Sequence, residues 1–111
     1  MKIKQEEQED VVILRLGGKL MGGPDADAFQ QTIRDLVERG RRNVLVDMGD
    51  VSWVNSTGLG ILISGYTTLK NAGGVLKLVR VNKRIDQIFM VTKLHTIFDS
   101  FEDETRALAS F

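Results

Sequence analysis

Asn43-Val44-Leu45-Val46-Asp47, followed after three residues by Val51-Ser52-Trp53-Val54-Asn55-Ser56-Thr57-Gly58-Leu59-Gly60, holds the passage on which the fold turns. The first five residues form a β-branched run suited to a strand buried on both faces. From Val51 to Leu69 the chain then runs nineteen residues without a charge. Ser52, Asn55, Ser56, Thr57, Ser64, Thr67 and Thr68 interrupt the aliphatic residues of that run. A membrane span needs about twenty predominantly apolar positions, so the run reads as a loop followed by a helix. Leu59, Leu62, Tyr66 and Leu69 recur at helical spacing and predict one core-facing stripe. Asn55, Ser56 and Thr57 fall at the helix entrance, where a side-chain oxygen can accept a hydrogen bond from an unpaired backbone N–H. One cap does not use two hydroxyls and an amide; if Thr57 is the main cap, Thr57→Ala lowers stability by about 0.5–2 kcal/mol. Gly58 and Gly60 strip bulk from the first turn, at roughly 1 kcal/mol each in helix propensity. Such bareness suits close approach by another molecule. A helix N-terminus also favours an anion, and a phosphorylated hydroxyl would be one.

Outward from this passage, strands and helices alternate. Residues 2–8 read as an edge strand, joined through Glu9-Asp10 to a stronger strand at Val11-Val12-Ile13-Leu14-Arg15-Leu16. Gly22-Gly23-Pro24-Asp25 opens a helix with proline in its first turn and acids at its positive end. Its buried stripe is Ala26, Phe29, Ile33 and Leu36 or Val37, and Gly40 ends it in a left-handed conformation. A strand at 43–48 precedes the uncharged helix, and another covers Val75 to Val81. Asn82 caps a helix with the stripe Ile85, Ile88 and Phe89, extended by Val91 or Thr92. Thr96 to Phe101 reads as a last strand, and Glu102-Asp103-Glu104 begins a short helix presenting Ala107, Leu108 and Phe111. The expected architecture is α/β, in the order β-β-α-β-α-β-α-β-α. It is a mixed, mostly parallel sheet of four to five strands with helices packed on it, forming one domain over residues 1–111.

Fifteen basic and fifteen acidic side chains cancel, which argues against general affinity for nucleic acid or an anionic membrane. Without cysteine there is no disulfide framework, thiolate chemistry or zinc cluster. Acidic residues among Met1-Lys2-Ile3-Lys4-Gln5-Glu6-Glu7 stand where a signal peptide carries an apolar core, so a cytoplasmic location is expected.

The segment Asp47-Met48-Gly49-Asp50-Val51-Ser52-Trp53-Val54-Asn55-Ser56-Thr57-Gly58-Leu59-Gly60 resembles the signature of the STAS domain family, in particular bacterial anti-sigma factor antagonists. The resemblance extends along the chain. Gly17-Gly18-Lys19-Leu20 is similar to the family's turn after the second strand, and Gly73-Gly74 to the turn before a later one. Two positions depart from the pattern: Asn55 stands where many members carry aspartate, and Met21 where several carry an acid. The resemblance implies that Ser56 is the phosphorylated serine, with Thr57 as second choice. It also implies a partner-binding surface built from Met21, Trp53, Asn55, Ser56, Thr57, Gly58, Leu59 and Gly60. The implied partners are an anti-sigma factor that is also a serine kinase, bringing its own ATP, and a PP2C-type phosphatase. In the implied switch, the unphosphorylated protein sequesters the anti-sigma factor and frees a sigma factor. A scaffold subunit in a signalling assembly or a lipid-transport complex is the alternative, with Ser56 and Thr57 as structural caps. Weak self-association is left open.

No residue pattern indicates an enzyme, a cofactor or a metal site. Gly58-Leu59-Gly60 lacks the rest of any nucleotide-binding fingerprint. The single histidine, His95, lies near a helix–strand junction with no nucleophile motif beside it and is read as a surface or cap residue. Asp47 and Asp50 offer too few oxygens for a hard cation and are read as ending the strand. Trp53, between Val51 and Val54, is expected to be largely buried.

Overall fold

A computed structural model describes residues 1–111. One five-stranded sheet, in spatial order β1-β2-β3-β4-β5, organises the chain. The strands are β1 (Lys2–Gln8), β2 (Val11–Leu20), β3 (Asn43–Val54), β4 (Val75–Val79) and β5 (Ser100–Phe101). The helices are α1 (Pro24–Glu38), α2 (Ser56–Asn71), α3 (Lys83–Val91) and α4 (Glu104–Ala109). β1 pairs antiparallel with β2 through a turn in which Glu9 is left-handed, and every later pairing is parallel. The expected β-β-α-β-α-β-α-β-α order and mixed sheet are what the molecule adopts.

Alternation along the central strands divides the core. Val12, Leu14, Val44, Val46, Leu76 and Leu78 face the layer formed by α1, α2 and α3, where they meet Phe29, Ile33, Leu36, Leu62, Leu69, Ile85 and Phe89. Val11, Ile13, Leu45 and Val79 face the other way and meet Ala107 of α4, flanked by Phe101, Leu108 and Phe111. Both faces of the central strands are therefore covered, which is why they read as continuous apolar runs.

Four expectations are corrected. β2 does not end in a turn at Gly17-Gly18: irregular register between Arg15 and Gly17, and again between Gly18 and Lys19, lets it keep pairing with β3 as far as Leu20. β3 runs to Val54 rather than stopping near Asp47, because its second half keeps pairing with β2, from Asp50 opposite Gly17 to Val54 opposite Leu20. β4 stops at Val79, where Arg80 turns left-handed at φ 58°. The strand expected over Thr96 to Phe101 is reduced to Ser100 and Phe101. Leu94–Thr96 forms a 3₁₀ turn instead, and Phe98 drops into the core against Tyr66 and Phe89, with ring centroids 5.4 and 5.8 Å away. Packing of this one aromatic outweighs the β propensity of its neighbours.

Candidate functional site

The handover from β3 to α2 is built around Asn55. Its backbone is extended, and its Oδ1 accepts a hydrogen bond of 2.8 Å from the N–H of Gly58, satisfying one of the orphan donors of the first helical turn. Its Nδ2 donates to the Met21 carbonyl at 3.4 Å, and its backbone N–H donates to the Leu20 carbonyl at 3.4 Å. One amide thus caps α2 and ties the β2–α1 loop to it. An aspartate could cap equally well but has no N–H for Met21, which accounts for asparagine here. Of the three candidate caps, Asn55 takes the role; Thr57 lies inside the first turn, two residues past the cap position.

Ser56 is the first helical residue and is exposed, as is Thr57. Neither hydroxyl takes part in the hydrogen bonds that Asn55 makes around them. The first turn of α2 carries no acid, so the helix offers no side chain of its own to offset the positive pole beside Ser56. The Thr57 methyl packs under the loop so closely that a Cβ on Gly22 would lie 2.4 Å from it, and Gly22 itself sits at φ +98°.

The two motif glycines do different work. A Cβ on Gly58 would fall 1.9 Å from the Leu20 carbonyl oxygen, so its bareness serves contact with β2. Gly60 faces open space. Beside it a groove of about 420 Å³ runs between α1 and α2, lined by Ala26, Asp27, Gln30, Thr57, Gly60, Ile61 and Ser64. Of the residues assigned to the partner surface, Met21, Trp53, Ser56, Thr57 and Gly60 are exposed, Asn55 is half-buried, and Gly58 and Leu59 face inward. Trp53 is 40% exposed rather than buried, because β3 carries it past the edge of the core. The Arg84 guanidinium of α3 lies 5.8 Å from its ring centroid.

Sequence reasoning missed a charged cluster on the other side of the sheet. Asp47, 2% exposed, accepts hydrogen bonds from Arg15 at 2.7 Å, from Arg80 Nε at 3.0 Å and from the Gly49 N–H at 2.9 Å. Burial opposes ionisation of Asp47, but these donors overcome it and hold its carboxyl below the usual range. Arg15 also pairs with Glu6 and, through two bonds of 2.7 and 3.3 Å, with Glu104. These partners raise the Arg15 pKa, Glu104 most of all, and the Arg15 hydrogen bond lowers that of Glu6. A lone arginine inside an apolar strand was the available signal that a buried acid faced it. His95 is exposed, its Nδ1 3.3 Å from the Phe89 carbonyl. No group of three histidine, cysteine or acidic side chains gathers as a cation site. No helix is long and apolar enough to cross a membrane.

The family model described as "STAS domain" matches residues 2–107. The anti-sigma-B factor antagonist of Bacillus subtilis is 32% identical over 74 residues, covering 67% of each chain. An anti-sigma factor antagonist from Mycobacterium paratuberculosis superposes with a TM-score of 0.83 at 22% identity, covering 98% of this chain and 92% of that one. The Bacillus cell fate determinant SpoIIAA in its phosphorylated form gives 0.76 at 17% identity, covering 98% of both chains. At these identities the two solved structures show a shared fold.

Proposed function

The chain belongs to the STAS domain family, and from that membership we propose that it is an anti-sigma factor antagonist switched by phosphorylation of Ser56. In this reading the unmodified protein binds an anti-sigma factor that is also a serine kinase, and so releases a sigma factor. Phosphate transfer from the kinase's own ATP to Ser56 ends the association, and a PP2C-type phosphatase restores it. The names of the curated relatives support the antagonist role. The observation that carries the switch is the exposed, uncommitted Ser56 hydroxyl at the positive pole of α2, whose first turn holds no acid.

Phosphorylation adds about −1.5 to −2 charges and strong acceptor oxygens at that pole. Free N–H groups at the helix start favour the new anion in the uncomplexed protein, while its hydration opposes burial against a partner. If the partner prefers the unmodified form by about 2–3 kcal/mol, its affinity changes roughly 30–150-fold, which switches occupancy without refolding. Met21, Trp53, Asn55, Thr57 and Gly60 surround Ser56 as the contact surface. Gly58 and Leu59 hold the helix start in place from within.

Peptide mass spectrometry on protein purified from its native cells under phosphatase inhibition tests this. A phosphate on Ser56 is the expected result. A phosphate confined to Thr57, or none across several growth conditions, overturns the assignment, and the latter favours a constitutive scaffold.

A further inference from the structure

A second surface lies beside the Ser56 face. Arg84, Gln87, Ile88, Val91 and Thr92 line a groove of about 280 Å³ on the outer side of α3. Arg84, Ile88 and Val91 follow one another at helical spacing, and Val91 is 84% exposed. At the Arg84 end the strip continues onto the exposed ring of Trp53. Lys19 is the register neighbour of Trp53 on β2, which sets a second cationic residue on the adjoining strand. Neither Lys19 nor Arg84 belongs to any of the ion pairs of the molecule, and the groove lining contains no acid.

We infer that this strip is a docking site for an acidic segment of a partner protein, one apolar side chain entering the groove while flanking carboxylates pair with Arg84 and Lys19. Charge complementarity selects the occupant. Aromatic and arginine side chains set together are the composition of binding hot spots, and two free cations bordering an apolar groove attract an acidic chain and repel a basic one. A two-fold interface sets residue i of one copy against residue j of the other, so a second copy would have to bring an acidic segment of its own onto Arg84 and Lys19, and self-association is an outcome the test reads. An anionic membrane is disfavoured because the strip carries only two cations, and α3 is nine residues long. The inference does not depend on Ser56 being phosphorylated.

Trp53 is the only tryptophan, so its fluorescence reports binding at its own exposed ring, and the two α3 variants below assign that response to the groove. The test titrates the full chain with a short glutamate-rich peptide carrying one leucine, with the same peptide built on lysine, and with vesicles of phosphatidylglycerol and phosphatidylcholine. The glutamate peptide is expected to shift Trp53 emission saturably while the lysine peptide does not. Arg84→Glu and Val91→Asp are each expected to weaken that binding about tenfold or more, as charge reversal and loss of the apolar anchor require. Both positions are exposed and outside the ion pairs, so the variants should fold, and circular dichroism checks this. Equal response to both peptides, insensitivity to both α3 variants, a larger response to vesicles, or self-association abolished by Val91→Asp would each overturn the inference.

Discussion

Gly58 and Asn55 carry opposite kinds of necessity at one helix start. Gly58 is required by contact: the position a Cβ would take lies 1.9 Å from a backbone oxygen of β2, which cannot swing aside as a flexible side chain can. Gly58→Ala is expected to cost at least about 1–3 kcal/mol, read as a lower midpoint in urea unfolding. Asn55 is required by hydrogen bonding, and Asn55→Ala is expected to cost about 0.5–2 kcal/mol through loss of the cap. Thr57→Ala, by contrast, should leave the unfolding midpoint close to that of the wild type, because Thr57 accepts none of the orphan N–H bonds. A larger loss at Thr57 than at Asn55 would refute this division of roles. The position of the site was legible in the sequence, since hydroxyls, amide and glycines stand where an apolar strand meets a helical stripe. Which residue caps was not, because three consecutive polar side chains all satisfy the sequence rule and only backbone phase separates them. Nor could the sequence tell that one glycine faces inward and the other outward.

Strands β1, β2 and β3, helix α4 and the loop after β4 are joined by one ionic cluster centred on Asp47. Arg15 reaches Glu6, Asp47 and Glu104, and Arg80 closes the set with its guanidinium lying over Gly49. Asp47→Ala would leave two arginines aimed at an empty strand position, and the loss should lie near 3 kcal/mol, the low end for a broken buried pair, because both arginines are partly exposed. The cluster also sets an acid dependence. The folded-state pKa of Asp47 lies below its unfolded value, so the unfolded chain binds the proton first. The stability this supplies is complete above the unfolded carboxyl value of about 4 and is lost as pH falls through the depressed folded value. Glu6 shifts in the same direction. Urea unfolding between neutral pH and about pH 3 should therefore show a steeper loss for the wild type than for Asp47→Asn. Parallel curves would mean that other carboxylates govern acid unfolding. The sequence signals a buried acid through the lone arginine of an apolar strand, but not which acids, because Arg15 finds its partners 9, 32 and 89 positions away, beyond any local period.

On the scale of the whole molecule the sheet has two unequal coverings. A large cluster of buried residues unites its first face with α1, α2 and α3, whereas α4, six residues long, holds the second face through a small one. Alternation of β-branched runs with helical stripes made the element order readable. The short last strand was not, because Phe98 answers to Tyr66 and Phe89 rather than to its neighbours. The asymmetry leaves α4 with Ala107 as its one fully buried residue, so it is also held by Glu104 on Arg15 and by Lys77, which donates to the Ser110 carbonyl and hydroxyl and lies beside the Phe111 ring. The Ser56 site stands on the opposite covering, so local opening of α4 should not disturb it. Glu104→Gln removes the charge but leaves the fold's packing untouched, and a partly exposed pair of this kind is worth about 0.5–1 kcal/mol. Native-state hydrogen exchange should accordingly quicken about two- to fivefold at the α4 amides, Ala107 among them, while Gly58 and Leu59 exchange as before. Equal acceleration at both ends would show that α4 opens only with the entire sheet. Acceleration confined to α4 would mean that α4 opens on its own and leaves the start of α2, on the opposite face of the sheet, undisturbed.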